Sequence, residues 1–370
     1  MTQSAMDEIA LVPTANDEAA FTARTEEPAV HVVTSRTDSR KAKLAKKYQR
    51  TPLAFYQARY NKFASRSEVN TGTLSDADTA RMILKKFFDL DDEQLLQDTE
   101  KHIEGLWRMK LNIPKFFDVR AAWPQCWAVH QIFNQAGCGS CWSVAATSVM
   151  SDRVCIHSNG TVQTQISALD LTSCCLSCGG CTYVFPVSLN IRGAFGSHEG
   201  CRPYTFEPSC GAPCGSSLYR KDRTPRCERQ CQELYHKSYD QDLVQARKAY
   251  WLRAINGSAE YTPVVKTTLQ RLINGKFTEI LQRELMTYGP VLACFTLFED
   301  FQHYMSGIYR TDENRSLQLY GHCAKLMGWG EEGGVKYWLY ANTWGRDWGE
   351  HGFFRIAMDE IPEEVVAGVM

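Results

Sequence analysis

The stretch "NQAGCGSCW", residues 134–142, sets two cysteines three residues apart, Cys138 and Cys141, with Trp142 behind the second. Its reading decides the fold, because a cysteine here is either a nucleophile or a staple in a disulfide framework. The following "CWSVAATSVMSDRV" has the composition of a buried helix, so Cys141 stands where a loop enters a helix. Backbone N–H groups at such an entrance favour an anion and lower the pKa of a thiol. A thiolate nucleophile needs a base, and the base needs a group that orients it. His322, in "YGHCAKLMGWG", opens an apolar strand, and Asn342, in "YANTWGRDWG", ends the next one. A hairpin would bring the two side by side. Asn342 would then accept a hydrogen bond from the imidazole N–H and fix the ring tautomer, with Trp344 shielding that bond. Taken singly, each residue reads as packing, surface or turn; the three settings together point to one site.

All 15 cysteines lie at or after Cys126, 13 of them between Cys126 and Cys231. That density indicates an oxidising compartment, lysosomal or extracellular, and a disulfide framework. Three N-x-S/T sequons, at Asn159, Asn256 and Asn314, agree with it. The opening "MTQSAMDEIALVPTANDEAAF" has no basic start followed by an apolar run, so no clear signal peptide is read there. No stretch reads as a membrane span. A formal net charge of −1 gives no reason to expect a nucleic-acid partner. A hydrophobic content of 44% in 370 residues is enough for two or three packed units.

Residues 1–34 are acidic and poor in large apolar side chains, and "SRTDSRKAKLAKKYQR" at 35–50 carries seven basic residues. Residues 1–74 therefore read as a poorly ordered tail. From Ser75 the pattern turns helical. Ser75 and Asp76 cap a run that becomes apolar at Met82, and Leu95, Leu96, Ile103, Leu106 and Trp107 follow at helical spacing. Pro114 restricts its predecessor, which sets a boundary near residue 112. Residues 75–112 form a helical segment in this reading, and 113–370 form a separate domain. That domain places a helix after Cys141, an irregular cysteine-rich stretch over 174–231 and mostly strands after Tyr288, which is an α+β fold.

These motifs, in this order, resemble those of the papain-like cysteine proteases. "QAGCGSCW" looks like the family's nucleophile motif, "GHCAKLMGWG" like its histidine motif and "NTWGRDWG" like its asparagine motif, with Thr343 where Ser is usual. "SDRVCIHSNG", "GSHEGCRPYTF" and "EEVVAGV" are similar to the cathepsin B branch. The resemblance covers about 113–370, and residues 1–112 sit where the family keeps an inhibitory propeptide. It implies a papain-like two-lobe peptidase, with Cys141 on a helical lobe, His322 and Asn342 on a β-rich lobe, and the cleft between them. It implies that Cys141 is the nucleophile, His322 the base and later the acid, and Asn342 the orienter of His322. Gln135 and the Cys141 backbone N–H would then be the oxyanion donors. The implied partners are protein or peptide substrates, with the chain's own propeptide as intramolecular inhibitor; no cofactor is implied. The resemblance also implies the disulfides Cys126–Cys155, Cys138–Cys181, Cys174–Cys227, Cys175–Cys178, Cys201–Cys231 and Cys210–Cys214. The run "CCLSCGGC" invites a zinc reading through the spacing of Cys175 and Cys178. It is set aside because each of its cysteines has a disulfide partner at a matching family position, so no metal is expected.

The sequence departs from that branch in places. The branch carries an occluding loop whose two adjacent histidines bind a substrate's C-terminal carboxylate. Here Cys210 and Cys214 enclose only Gly211, Ala212 and Pro213, and no His-His pair occurs anywhere. Cleavage of internal bonds is therefore expected rather than dipeptide removal. After Cys181 the chain reads "CTYVFP", which puts Tyr183 and Val184 along the cleft where the family has glycines, and Pro186 is expected to line the same pocket. Cys294, Cys323, Pro362 and Trp348 are the remaining expected pocket residues. Pro362 stands where an acidic residue often closes the pocket, so an apolar preference is expected. Cys294 and Cys323 read either as two buried thiols or as a further disulfide beside His322. The alternative to an enzyme is a secreted, disulfide-stapled protease homologue that acts as a binding protein. The retained Cys141, His322, Asn342 and Gln135 weigh against it, while Tyr183 and Val184 weigh for it.

Overall fold

A computed structural model describes residues 56–58, 73–74, 92–175, 180–181, 183–184, 190–191, 199–206, 223–253, 269–311 and 318–370. In chain order its first elements are β1 (Tyr56–Ala58), β2 (Thr73–Leu74), α1 (Asp92–Arg108), β3 (Phe117–Asp118) and α2 (Val119–Ala122). Next come α3 (Cys141–His157), α4 (Ala168–Cys174), β4 (Tyr183–Val184), β5 (Asn190–Ile191), β6 (Leu243–Val244) and β7 (Lys248–Arg253). The last are α5 (Leu269–Tyr288), β8 (Val291–Phe298), β9 (Tyr304–Tyr309), β10 (Gln318–Glu332), β11 (Val335–Ala341), β12 (Phe353–Ala357) and β13 (Glu364–Val369).

Helix α3 starts at Cys141, as expected, and is buried on nearly every side. A helix that is enclosed all round cannot rely on an apolar stripe. Its small residues let neighbours come close, and its hydroxyls turn back onto its own backbone. Thr147 Oγ1 donates to the Ser143 carbonyl at 2.8 Å, and Ser151 Oγ to that of Thr147 at 2.6 Å. The helical lobe packs Phe133, Val144, Ala168, Leu169 and Tyr204 together.

The β-rich lobe is built on one sheet, ordered β1-β9-β12-β11-β10-β8-β13-β7, with β3 also on β10. Its pairs are antiparallel except β12 with β9. Strand β8 shows why it is central. Val291, Ala293 and Leu297 enter the main core on one face, while Cys294 and Thr296 alternate onto the other. On β10, Cys323 and Lys325 share the face that fronts α3, since Lys325 reaches Asp152 there. Gly328 is needed where β3 crosses β10, because a Cβ would lie 2.2 Å from the Phe117 carbonyl oxygen.

Two parts of the expected tail are strands: β1 forms the edge of the sheet beside β9, and β2 pairs in parallel with β4. The rest of the tail and the expected capped helix at 75–91 lie outside the described residues. Helix α1 forms where its apolar spacing predicts, with Ile103 and Leu106 fully buried. It packs chiefly on β7 and α5, neither of which carries Cys141, His322 or Asn342. Among the described residues, no helix is long and apolar enough to cross a membrane.

The lobes meet through charges on α3. Lys325 Nζ lies 2.8 Å from Asp152 Oδ2, and Arg153 Nη2 lies 2.7 Å from Glu284 Oε1, all of them buried. Removing one member of such a pair leaves an uncompensated charge, which costs about 3–5 kcal/mol. Lys325→Met is therefore expected to lower stability by that order, and adding Asp152→Asn to recover part of it. Denaturant unfolding of the single and double variants checks this; equal stability of the single variant and the unsubstituted protein would contradict it.

Candidate active site

The loop 134–140 is held from three directions before it delivers Cys141. The Cys138–Cys181 disulfide ties it to the start of the cysteine-rich stretch, and Gly139 N–H donates to the Cys181 carbonyl at 3.1 Å. Trp142 Nε1 donates to the Gly180 carbonyl at 3.0 Å. Gly180 has φ +59°, and a Cβ there would lie 2.2 Å from Thr224 Oγ1, so the turn has no room for a side chain. Tyr204 OH donates to the Gln135 carbonyl at 2.9 Å and lies 2.7 Å from Ser140 Oγ. Ser140 is the N-cap of α3 but gives no side-chain cap, since its hydroxyl is engaged with Tyr204. Cys141 thus takes the first helical position and keeps its thiol outside every disulfide.

His322 and Asn342 come together as the hairpin of β10 and β11 predicts. His322 Nε2 lies 2.8 Å from Asn342 Oδ1. The same oxygen accepts the Thr343 backbone N–H at 2.8 Å, which identifies it as the carbonyl side of the amide. Nε2 must therefore carry the imidazole proton, and Nδ1 is left with its lone pair. Nδ1 is buried and has no hydrogen-bond partner among the described residues. Trp344 lies over the ring at 4.9 Å between centroids, and Phe295 meets it edge-on at 5.8 Å. Both protect the His322–Asn342 bond from water.

Gln135 joins this group across the lobe boundary. Its backbone N–H donates to the Thr343 carbonyl at 2.8 Å, and its Oε1 accepts the Thr343 hydroxyl at 2.6 Å. The amide is thereby fixed with Nε2 on the other side, where it donates to the Cys138 carbonyl at 2.9 Å. The Thr343 hydroxyl supplies the donor that this contact needs.

Burial sets the protonation of the pair. It pushes the Cys141 thiol up to about 12, although the backbone amides of Cys323, Trp142 and Cys141 pull it down. It pushes the His322 imidazole down to about 4, against the bond to Asn342. Both shifts favour neutral thiol and neutral imidazole in the enclosed site.

The described disulfides are Cys126–Cys155, Cys138–Cys181, Cys174–Cys227, Cys201–Cys231 and Cys294–Cys323. Cys175 is also disulfide-bonded; Cys178, Cys210 and Cys214 lie outside the described residues, as does Pro186. Cys294 and Cys323 are directly opposed on β8 and β10, with Cα atoms 4.1 Å apart, which settles their reading as a bridge next to His322. Tyr183 and Val184 form β4, whose backbone pairs with β2 of the leader. Trp348 is enclosed by Phe301, Tyr304, Trp344 and Phe354, so it supports the Trp344–His322 stack from behind.

Pro362 is the residue expected to close the substrate pocket. It lines a cavity of about 420 Å³ with Phe295, Tyr340, Glu360 and Glu363, and neither Cys294 nor Cys323 belongs to that lining. The residue opposite Cys294 on β13 is Glu364, buried at 5% exposure. Cross-strand neighbours share a face, so Glu364 stands with the Cys294–Cys323 bridge on the side that fronts α3. Sequence reasoning missed it because "EEVVAGV" offers two adjacent glutamates, and a slip of register decides which one points where.

The fold and this constellation define a thiol peptidase, and the chain belongs to the papain family of cysteine proteases: the family model "Papain family cysteine protease" matches residues 113–368. Its relatives are cathepsin B-like. A cathepsin B-like cysteine proteinase of Schistosoma japonicum is 36% identical over 316 residues, covering 77% of this chain and 84% of that protein. Cathepsin B-like cysteine proteinase 1 of Ostertagia ostertagi is 38% identical over 279 residues, covering 72% and 74%. Among solved structures, procathepsin B S9 from Trypanosoma congolense matches with TM-score 0.61 and 26% identity, covering 88% of this chain and 96% of that one.

Non-reducing peptide mapping is expected to recover Cys294 and Cys323 in one linked pair, with Cys141 alkylated only after unfolding or processing. Two alkylated thiols at Cys294 and Cys323 without reduction would contradict the bridge.

Proposed function

We propose that the protein is a cysteine-type endopeptidase made as a zymogen. The reading rests above all on the tautomer derived for His322: an imidazole whose Nε2–H is spent on Asn342 and whose Nδ1 lone pair remains available. In the reaction, Nδ1 takes the Cys141 thiol proton as sulfur bonds to the peptide carbonyl carbon. The carbonyl oxygen becomes an oxyanion, which accepts hydrogen bonds from the Gln135 side-chain amide and the Cys141 backbone N–H. The carbon–nitrogen bond then breaks as His322 returns the proton to the leaving amine, which leaves a thioester. Water attacks the thioester with His322 as base, and the acid product departs with the thiol restored.

Internal cleavage follows from the missing His-His pair. Leader control is supported by β2, which runs parallel to β4 and also lies against β10, the strand of His322. The backbone edge that would pair with substrate is thus engaged by the chain itself. With the site enclosed, burial disfavours the thiolate–imidazolium pair. Solvent admitted by removal of the leader reverses both shifts and arms Cys141.

Cys141→Ser is expected to abolish hydrolysis without lowering the melting temperature. A thiol-directed epoxide should label Cys141 slowly in the full-length chain and rapidly after processing. Full peptidase activity in the serine variant would refute the nucleophile. A full-length chain as reactive as the processed one would refute leader control.

Glu364 revises the specificity expected from Pro362. A buried carboxylate beside the disulfide favours a basic side chain in the pocket for the second substrate residue before the cut. In a positional peptide library, arginine should be accepted there, and Glu364→Ala should shift the preference to apolar residues at least tenfold. An unchanged library profile for that variant would remove Glu364 from the pocket.

A further inference from the structure

We infer that helix α1 is not shed with the rest of the leader but stays on the β-rich lobe as a working part of the active enzyme. This rests on the zymogen reading above.

The contacts of α1 are those of a core element. Thr99, His102, Ile103 and Leu106 recur on one face at helical spacing, and Ile103 and Leu106 have no exposed surface. They belong to the same core cluster as Tyr250, Leu281, Leu285 and Ala367 of the peptidase. The polar contacts are equally built in. His102 stacks on Tyr250 at 3.7 Å between centroids, and its Nε2 lies 2.8 Å from Glu284 Oε2. Glu284 is wholly buried, and its other oxygen takes Arg153 Nη2 at 2.7 Å and Tyr250 OH at 2.5 Å. At the end of the helix, Arg283 Nη1 donates to the Trp107 carbonyl at 3.1 Å and its guanidinium lies 5.1 Å from the Trp107 ring.

Loss of α1 would open an apolar face of the β-rich lobe and strip Glu284 of one of its partners. That carboxylate holds Arg153 on α3, the helix that begins with Cys141. The helix is therefore a buttress for the nucleophile's scaffold, whereas the described pairing of β1 and β2 runs through short backbone ladders at strand edges.

Acid does not open this contact. Burial raises the Glu284 carboxyl, but Arg153 and His102 outweigh it and hold it at about 2. The groups around His102 are Glu284, Tyr250 and Tyr288, with Arg153 and His157 of α3 behind them.

The test starts from the full-length chain, processed by its own activity or by limited proteolysis. Denaturing intact-mass analysis of the gel-filtered product is expected to find residues 92–108, either joined to the peptidase or as a co-purifying peptide. In that product, His102→Ala and Leu106→Ala should each lower the melting temperature by about 3 °C or more. His102→Gln, which keeps a donor for Glu284, should lower it less. A folded product that lacks residues 92–108, or substituted products that melt together with the unsubstituted one, would overturn the inference. Peptide hydrolysis is measured on the same samples as a separate readout. A product that keeps α1 but does not cleave peptides would count against the proposed activity and leave the retention of the helix standing.

Discussion

Two consecutive charges in the middle of α3, Asp152 and Arg153, have to be neutralised inside the protein. Neither has any exposed surface. An isolated buried charge costs many kcal/mol, so each must find a partner of opposite sign at hydrogen-bond distance. Asp152 finds Lys325 on β10 and Arg153 finds Glu284 on α5, both in the β-rich lobe. Adjacent helix positions point about 100° apart, so the two bonds together fix both the rotation and the depth of α3. Cys141 is about three turns upstream on the same rigid rod. Its position relative to β10, and so to His322, is inherited from this pair of charges.

A second seam lies at the catalytic end. Asn342 and Thr343 are neighbours, and each holds a different member of the candidate site. Asn342 holds the His322 ring, while Thr343 holds the amide of Gln135 through its hydroxyl and its carbonyl. The base and the expected oxyanion donor are therefore set by one short piece of backbone. Movement of the lobes that separated them would break the Gln135–Thr343 contacts first. The aromatic wall of Phe295, Trp344 and Trp348 makes the β-rich side of the site stiff and dry, which is what an imidazole with an assigned tautomer needs.

Much of this was legible in the residues. Helix α3, the β10–β11 hairpin, the His322–Asn342 contact and the four described disulfides of the family framework are where the motifs put them. Local chemistry explains the helix and the hairpin, since small residues behind Cys141 and strand alternation around His322 each have few solutions; the cysteine pairing was implied only by the family resemblance. The misses are tertiary. The apolar face of α1 was readable, but not that it would choose β7 and α5, because an amphipathic stripe does not name its partner. Likewise Glu364 was hidden behind Glu363, since one step of register reverses which side chain shares a face with the Cys294–Cys323 bridge. The bridge between Cys294 and Cys323 stayed open for a similar reason: composition supplies the sulfurs, and only strand pairing opposes them.

That bridge has a practical consequence. A thiol peptidase is kept active by reductants that protect its nucleophile from oxidation. Here the same reagents can attack a second sulfur couple, one residue from the catalytic imidazole. With the bridge open, β8 and β10 would still pair, but two thiols would replace one cross-link in the wall next to Glu364. Strongly reducing buffers would then act on a wall beside His322 and Glu364 that differs from the bridged one. The strength of the reductant is therefore a variable to fix in any assay of this protein.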